Sequence, residues 1–244
     1  MAPPDNDVLW SRTLYYSHGA TRALNGVSIG VAEGEILAIT GPRGSGKTTL
    51  LRCLSGQLAP EQGEIWFNSQ PVHTLSTAKR ERLRLTRFGW IDTEPQLVPE
   101  LRAWENAALP LLLAGESHRH AKRAACEWLD RLDVGDLAKA RPRSLDRSQA
   151  QRVAIARALV HDPAVLFADE PTAALHSTEG AQVLRTLVAA CRSHGVTAVL
   201  ASHLAEAVEL ADRAVALVDG RRSSGVPVPV YSADPSGASC SLSV

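Results

Sequence analysis

Ile36-Leu37-Ala38-Ile39-Thr40-Gly41-Pro42-Arg43-Gly44-Ser45-Gly46-Lys47-Thr48-Thr49-Leu50-Leu51-Arg52-Cys53-Leu54 is the stretch whose reading decides the fold. Its first residues form an apolar run of the length of a buried strand. Gly41 to Thr48 fits the phosphate-binding pattern G-x-x-x-x-G-K-[ST]. Thr49 to Leu54 reads as a helix. Strand, glycine loop and helix in that order are the context the pattern requires. Glycines let consecutive backbone N–H groups curl around phosphate oxygens, and a helix N-terminus adds partial positive charge. Gly41, Pro42, Arg43, Gly44, Ser45, Gly46, Lys47, Thr48 and Thr49 are therefore the expected nucleotide-binding residues. Lys47 is expected to reach the β- and γ-phosphates, and Thr48 to bind Mg²⁺.

Outward from this loop, strand and helix signals alternate. Val8 to Glu35 reads as antiparallel strand material with turns at Ser17-His18-Gly19 and Glu33-Gly34. Gly63 to Asn68 alternates like a half-buried strand, and Phe88 to Asp92 is a further strand. From about residue 94 to 150 the character is helical. Ala121, Ala124, Ala125, Trp128, Leu129 and Leu132 recur at helical spacing and predict one buried face. Strands are expected at Val165–Ala168, Val196–Leu200 and Ala214–Val218, and helices at Gln149–Leu159, Ala181–Ser193 and Leu204–Ala211. The alternation implies an α/β fold with a mainly parallel sheet and crossover helices, interrupted by a helical subdomain. Residues 8–222 form the expected nucleotide-binding domain. Residues 223–244, rich in Ser, Gly and Pro, read as a flexible tail. No internal repeat is visible.

The chain of 244 residues carries no net formal charge. Neutrality indicates no bulk attraction to nucleic acid or to anionic lipid. The first residues lack a basic region followed by an apolar one, so no signal peptide is expected. No apolar stretch approaches the ~20 residues of a membrane span, and the best candidate, Ala107 to Ala114, contains Pro110. Cys53, Cys126, Cys191 and Cys240 are scattered, with no C-x-x-C pair and no His at ligand spacing. They read as incidental thiols of a reducing, cytoplasmic compartment.

Val165-Leu166-Phe167-Ala168-Asp169-Glu170-Pro171-Thr172 is an apolar strand ending in two carboxylates. A strand end puts them at the carboxyl edge of the sheet, beside the glycine loop. Asp169 is expected to help hold Mg²⁺, and Glu170 to polarise an attacking water.

These motifs together resemble the ATP-binding subunit of an ABC transporter over about Val8 to Arg222. Pro42 to Thr49 resembles that family's Walker A and Leu166 to Thr172 its Walker B. Gln151-Arg152-Val153-Ala154-Ile155-Ala156-Arg157-Ala158-Leu159 resembles the helix after its signature, and Ser202-His203 its switch histidine. Trp104-Glu105-Asn106-Ala107-Ala108-Leu109-Pro110-Leu111 resembles the subgroup serving lipoprotein release, macrolide efflux and antimicrobial-peptide resistance. The resemblance implies a P-loop NTPase (RecA-like) core with an antiparallel β subdomain and an inserted α-helical subdomain. It implies ATP and Mg²⁺ as ligands, hydrolysis of ATP, and a separate membrane permease as partner. It places the chain in the cytoplasm, peripheral on the inner face of the cell membrane. Export is implied by the subgroup alone. Tyr16 takes the position of an adenine-stacking aromatic residue, and His203 that of a γ-phosphate contact that orients water with Glu170. Lys47, Glu170 and His203 are the catalytic set.

The family's two subunits sandwich two ATP molecules, each held by one chain's P-loop and the other's signature, Leu-Ser-Gly-Gly-Gln. This chain departs from that pattern and reads Leu145-Asp146-Arg147-Ser148-Gln149. A carboxylate facing phosphate costs on the order of 4 kcal/mol per charge pair at about 4 Å and an effective dielectric of 20. As a helix cap, Asp146 is acceptable. Thr93 stands where a glutamine normally meets Mg²⁺, and His176 where an aspartate normally bridges the subunits. Its own ATP grip is intact, and what it offers the opposite ATP is degraded. Homodimer and heterodimer with a second ATP-binding subunit both fit. So does a catalytically weak, regulatory ATP-binding role in a heterodimer. A soluble relative acting on DNA or ribosomes is disfavoured, because neither a long coiled coil nor two fused nucleotide domains is present.

Overall fold

The structure is a computed structural model that describes residues 7–223. Apart from Ser223, the expected tail lies outside the described residues. In chain order the strands are β1 (Asp7–His18), β2 (Thr21–Ala32), β3 (Ile36–Thr40), β4 (Gln62–Phe67), β5 (Gln70–Pro71), β6 (Phe88–Ile91), β7 (Val165–Asp169), β8 (Thr197–Ala201), β9 (Arg213–Val218) and β10 (Arg221–Arg222). The helices are α1 (Lys47–Leu54), α2 (Thr77–Arg87), α3 (Ala103–Leu113), α4 (His118–Arg131), α5 (Arg147–Leu159), α6 (Ser177–His194) and α7 (Ala205–Leu210). Four strands make an antiparallel sheet in the order β2-β1-β4-β5. Six make a second sheet in the order β10-β9-β3-β8-β7-β6, parallel except for the short β10 at its edge.

The parallel sheet is apolar on both faces, as crossover helices demand. Side chains alternate along each strand and feed two separate cores. Leu166 and Ala168 of β7, with Ala198 and Leu200 of β8, face α3, α4, α5 and α6. Val165 and Phe167, with Leu37 and Ile39 of β3 and Val199 of β8, face α1 and the antiparallel sheet. Phe88 ties the two sheets together through edge-to-face contacts with Phe67 (4.9 Å between centroids) and Phe167 (5.3 Å). On the antiparallel sheet, the register pairs Trp10 with Trp66, and their rings stack at 5.5 Å.

Three helices begin earlier than the periodicity suggested. α1 starts at Lys47, α5 at Arg147 and α6 at Ser177. Helix starts are set by capping groups and not by the first apolar residue. The expected helical stretch 94–150 holds α3, α4 and the start of α5, plus single 3₁₀ turns at Gly135–Leu137 and Pro142–Ser144. α2 had no apolar periodicity to signal it: it buries no residue fully and consists mainly of Lys, Arg, Leu and Glu, which favour helix intrinsically. Among the described residues no helix is long and apolar enough to cross a membrane. Cys53, Cys126 and Cys191 are free thiols, and burial pushes Cys53 and Cys191 up to about 12, so they stay protonated and inert.

Phe167 is completely buried and touches the rings of Phe88 and Trp90 on the neighbouring strand β6. Phe167→Ala is expected to cost about 3–5 kcal/mol of stability, read from the midpoint of chemical unfolding. Trp66→Ala on the half-buried outer stack is expected to cost less.

Candidate nucleotide-binding and catalytic site

A cleft of about 470 Å³ opens at the carboxyl ends of β3, β7 and β8. Register explains the convergence. Ile39 of β3 and Asp169 of β7 both pair with Ala201 of β8, so the three chains leave the sheet side by side. β3 runs into the glycine loop, β7 into Glu170 and β8 into Ser202-His203. The cleft wall includes Arg43, Gly44, Gly46, Lys47, Thr48, Thr49, Thr93, Glu170 and His203.

The loop closes on α1 with Gly41, Gly44 and Gly46 at φ of 141°, 79° and 100°, a region costly to side chains. A Cβ at Gly46 would strike the Ala23 carbonyl, and one at Gly41 the Leu217 carbonyl. Gly41, Pro42 and Ser45 lie behind the lining residues. Ser45 is 3% exposed, and its hydroxyl oxygen has no hydrogen-bond partner. The Lys47 ammonium donates to the carbonyls of Gly41 (2.9 Å) and Pro42 (3.1 Å) and lies 3.4 Å from Glu170 Oε1. It is 6% exposed, so this charge acts in a poorly screened place.

Thr48 Oγ1 donates to Asp169 Oδ1 at 3.0 Å. Burial pushes the Asp169 carboxyl above its ordinary range; the Thr48 bond pulls it down and the neighbouring Glu170 pushes it up again. A divalent cation between the two residues would relieve that cost. Among the described residues no cluster of three or more His, Cys, Asp or Glu could hold a metal. One hydroxyl and one carboxylate suit Mg²⁺, which takes few protein ligands and fills its sphere with phosphate oxygens and water. The donor set therefore fits Mg²⁺ bound with a nucleotide.

Glu170 occupies a left-handed backbone conformation (φ 48°), which a residue adopts only when its surroundings hold it there. Its N–H donates to the Ala201 carbonyl at 2.9 Å. Its Oε2 is 2.7 Å from His203 Nδ1, and the His203 backbone N–H also faces it at 3.4 Å. The carboxylate thus orients the imidazole and holds a proton on Nδ1.

Tyr16 is not on the cleft wall: it is half-buried against the core, with its ring edge-on to His18 at 5.0 Å. His18 lines the cleft instead, with Nε2 3.1 Å from Thr49 Oγ1. Leu145 to Gln149, expected to face a partner's ATP, lie outside this chain's own cleft, at the N-terminus of α5. There Asp146 is the helix cap. Its carboxylate accepts from the Gln149 N–H at 2.8 Å, and Gln149 Oε1 accepts from the Asp146 N–H at 3.1 Å. Arg147 reaches back toward the Ala174 carbonyl at 3.4 Å, and Ser148 is half-buried. His176 is the cap position of α6.

Thr93 does reach the cleft, where its hydroxyl donates to the Asp169 carbonyl at 3.0 Å. Its loop is held from three sides, by contacts that the motifs did not specify. Gln151 donates to the Asp92 carbonyl (3.1 Å), and Arg157 to those of Pro95 and Gln96 (2.8 Å each). Asn106, fully buried, accepts from the Val98 N–H (2.7 Å) and donates to the carbonyls around it. Thr21, Arg22, Ala23 and Ala173 also line the cleft without a local sequence signal.

The profile of the family described as ABC transporter matches residues 24–173. The chain is 39% identical over 202 residues to the lipoprotein-releasing system ATP-binding protein LolD 2 of Caulobacter vibrioides, covering 83% of this chain and 89% of that one. It is 37% identical to the uncharacterised ABC transporter ATP-binding protein YbbA of Escherichia coli K12, covering 81% and 87%. An uncharacterised ABC transporter ATP-binding protein of Mycobacterium tuberculosis is 41% identical, and the chain spans 62% of its length. Among solved structures, the dimeric ATP-binding cassette MJ0796 bound to ADP and Pi superposes with a TM-score of 0.81 at 30% identity, covering 88% of this chain and 97% of that one. The chain cbiO1 of Clostridium perfringens superposes with the same score at 28% identity, covering 90% and 88%. On this likeness and on the cleft that β3, β7 and β8 build, the chain belongs to the ABC transporter family as an ATP-binding subunit of the LolD-like subgroup.

Proposed function

We propose that this chain hydrolyses ATP to drive a separate membrane permease, in the direction of export. It acts from the cytoplasm at the inner face of the membrane, as one of a pair of ATP-binding subunits. The observation that carries this reading is the convergence of Lys47, Glu170 and His203 at one mouth, with Thr48 and Asp169 beside them. The relative from Caulobacter vibrioides, named for lipoprotein release, supports export.

The reaction is attack of water on the γ-phosphorus. A new P–O bond forms to the water oxygen, and the bond to the β–γ bridging oxygen breaks. Glu170 takes the water's proton, its carboxylate being held by His203 and its backbone N–H by the Ala201 carbonyl. Lys47 and the loop N–H groups stabilise negative charge on the phosphate oxygens. Thr48 and Asp169 would hold Mg²⁺, which neutralises part of the charge on the β- and γ-phosphates. His18 is the cleft's exposed ring beside Thr49, and we assign it the contact with the base that Tyr16 was expected to make.

A dimer of identical chains would hydrolyse ATP slowly. The α5 N-terminus is the kind of place where a helix offers its N–H groups to an anion, but Asp146 already occupies it. The carboxylate caps the helix from inside and repels a phosphate from outside. A second, different ATP-binding subunit with a glycine-rich segment at this position would supply what this chain does not.

Three outcomes are expected. Glu170→Gln should lower phosphate release at saturating Mg-ATP by about a hundredfold or more while leaving nucleotide binding intact; retention of full turnover would remove Glu170 from the reaction. His18→Ala should weaken ATP binding about tenfold, the weight of one stacked base, whereas Tyr16→Phe should leave it unchanged. Replacing Asp146, Arg147 and Ser148 by Ser, Gly and Gly should raise turnover of the purified chain at least about tenfold, because a charge repulsion is removed while serine still caps the helix. Wild-type turnover that equals the variant's would sink the slow-homodimer reading.

A further inference from the structure

The helix α2 is a strongly unbalanced surface among the described residues. Its sequence Thr77-Ala78-Lys79-Arg80-Glu81-Arg82-Leu83-Arg84-Leu85-Thr86-Arg87 sets five cations against Glu81 alone, in a chain of zero net charge. None of the five forms an ion pair with a described carboxylate, although eight such pairs exist elsewhere among the described residues.

Packing accounts for part of this. Arg84 donates to the Gly56 carbonyl at 2.9 Å, just past the end of α1, and burial lowers its pKa. The stem of Arg80 lies against Gly56. Arg87 covers the Phe67 ring at 6.0 Å. Lys79 and Arg82 have no such work. They are exposed, and at i and i+3 they share one outer face with Thr86. A face this basic, with no carboxylate in ion-pair contact, fits an anionic surface.

We propose that the outer face of α2, through Lys79 and Arg82 with Arg87 on its flank, docks on anionic phospholipid headgroups of the membrane that holds the permease. This rests on the permease-bound function proposed above. A short convex helix suits a planar leaflet, where each surface Lys or Arg adds to the attraction. A nucleic acid is the other polyanion such a stripe could meet, and the test distinguishes the two. α2 also connects the lipid face to the nucleotide site. It packs on the end of α1, the helix that opens with Lys47 and Thr48, and leads through β6 to Thr93.

The test is flotation of the full chain with vesicles of phosphatidylcholine, alone or with roughly one lipid in three replaced by phosphatidylglycerol. Wild type should bind only the anionic vesicles and detach at about 0.5 M salt. Lys79→Glu with Arg82→Glu should weaken binding at least about tenfold. Both side chains are exposed and unpaired, so the variant should keep wild-type ATP binding, which also reports its folding. Equal binding of wild type and variant, or no binding to anionic vesicles, would overturn the proposal. So would tighter binding to duplex DNA than to the vesicles, if the same two substitutions abolished it. ATP binding and phosphate release by the wild type in lipid-free buffer test the motor function separately: their absence would defeat that reading and leave the vesicle result standing.

Discussion

The parallel register of β3, β8 and β7 is the constraint on which the rest of the structure depends. Ile39, Ala201 and Asp169 lie in one row across the sheet, so the next residues of three distant segments emerge together. The glycine loop, the Ser202-His203 turn and Glu170 meet for that reason alone. A slip of one residue in any of these strands would turn its side chains to the other face and exchange the two cores. The completely buried Phe167, Leu37, Ile39 and Val199 on one face, and Leu166, Ala198 and Leu200 on the other, make such a slip costly.

That register brings charge into a place where it is expensive. Asp169 is 5% exposed and has a second carboxylate beside it, and burial raises its pKa. Lys47 offsets Glu170, and Thr48 satisfies one oxygen of Asp169. Glu170 is further held in a left-handed conformation. Such strain and such unrelieved carboxylates persist where binding or catalysis uses them. They suit a site completed by a phosphate and a divalent cation.

A second layer holds the site from the helical side. Gln151 and Arg157 project from α5, and Asn106 from α3, onto the loop that carries Thr93. The same helix α5 begins at Asp146, whose carboxylate is spent on the Gln149 N–H. The segment that departs most from the family pattern is thus one turn away from the residue that holds the Thr93 loop. Substitutions at 146–148 act on a helix end that is already satisfied by its own side chain, which is why the departure from Leu-Ser-Gly-Gly-Gln leaves the helix intact.

The sequence by itself determined the local chemistry: the glycine loop between β3 and α1, the carboxylates closing β7, the histidine after β8 and the apolar strands of a parallel sheet. Each of these is written in neighbouring residues, because glycine content, strand period and strand ends act on the backbone where they occur. The position of His18 in the cleft, and the clamp of Asn106, Gln151 and Arg157 on the Thr93 loop, were decided only by tertiary structure. The helix α2, with no apolar stripe, also escaped periodicity. Asp146 lies between these cases: its capping value is local, but its commitment to Gln149 appears only once α5 has formed. The physical reason is common to all of them. A side chain's partners across the fold depend on strand register and helix packing summed over many weak contacts, and no short stretch of sequence contains that sum.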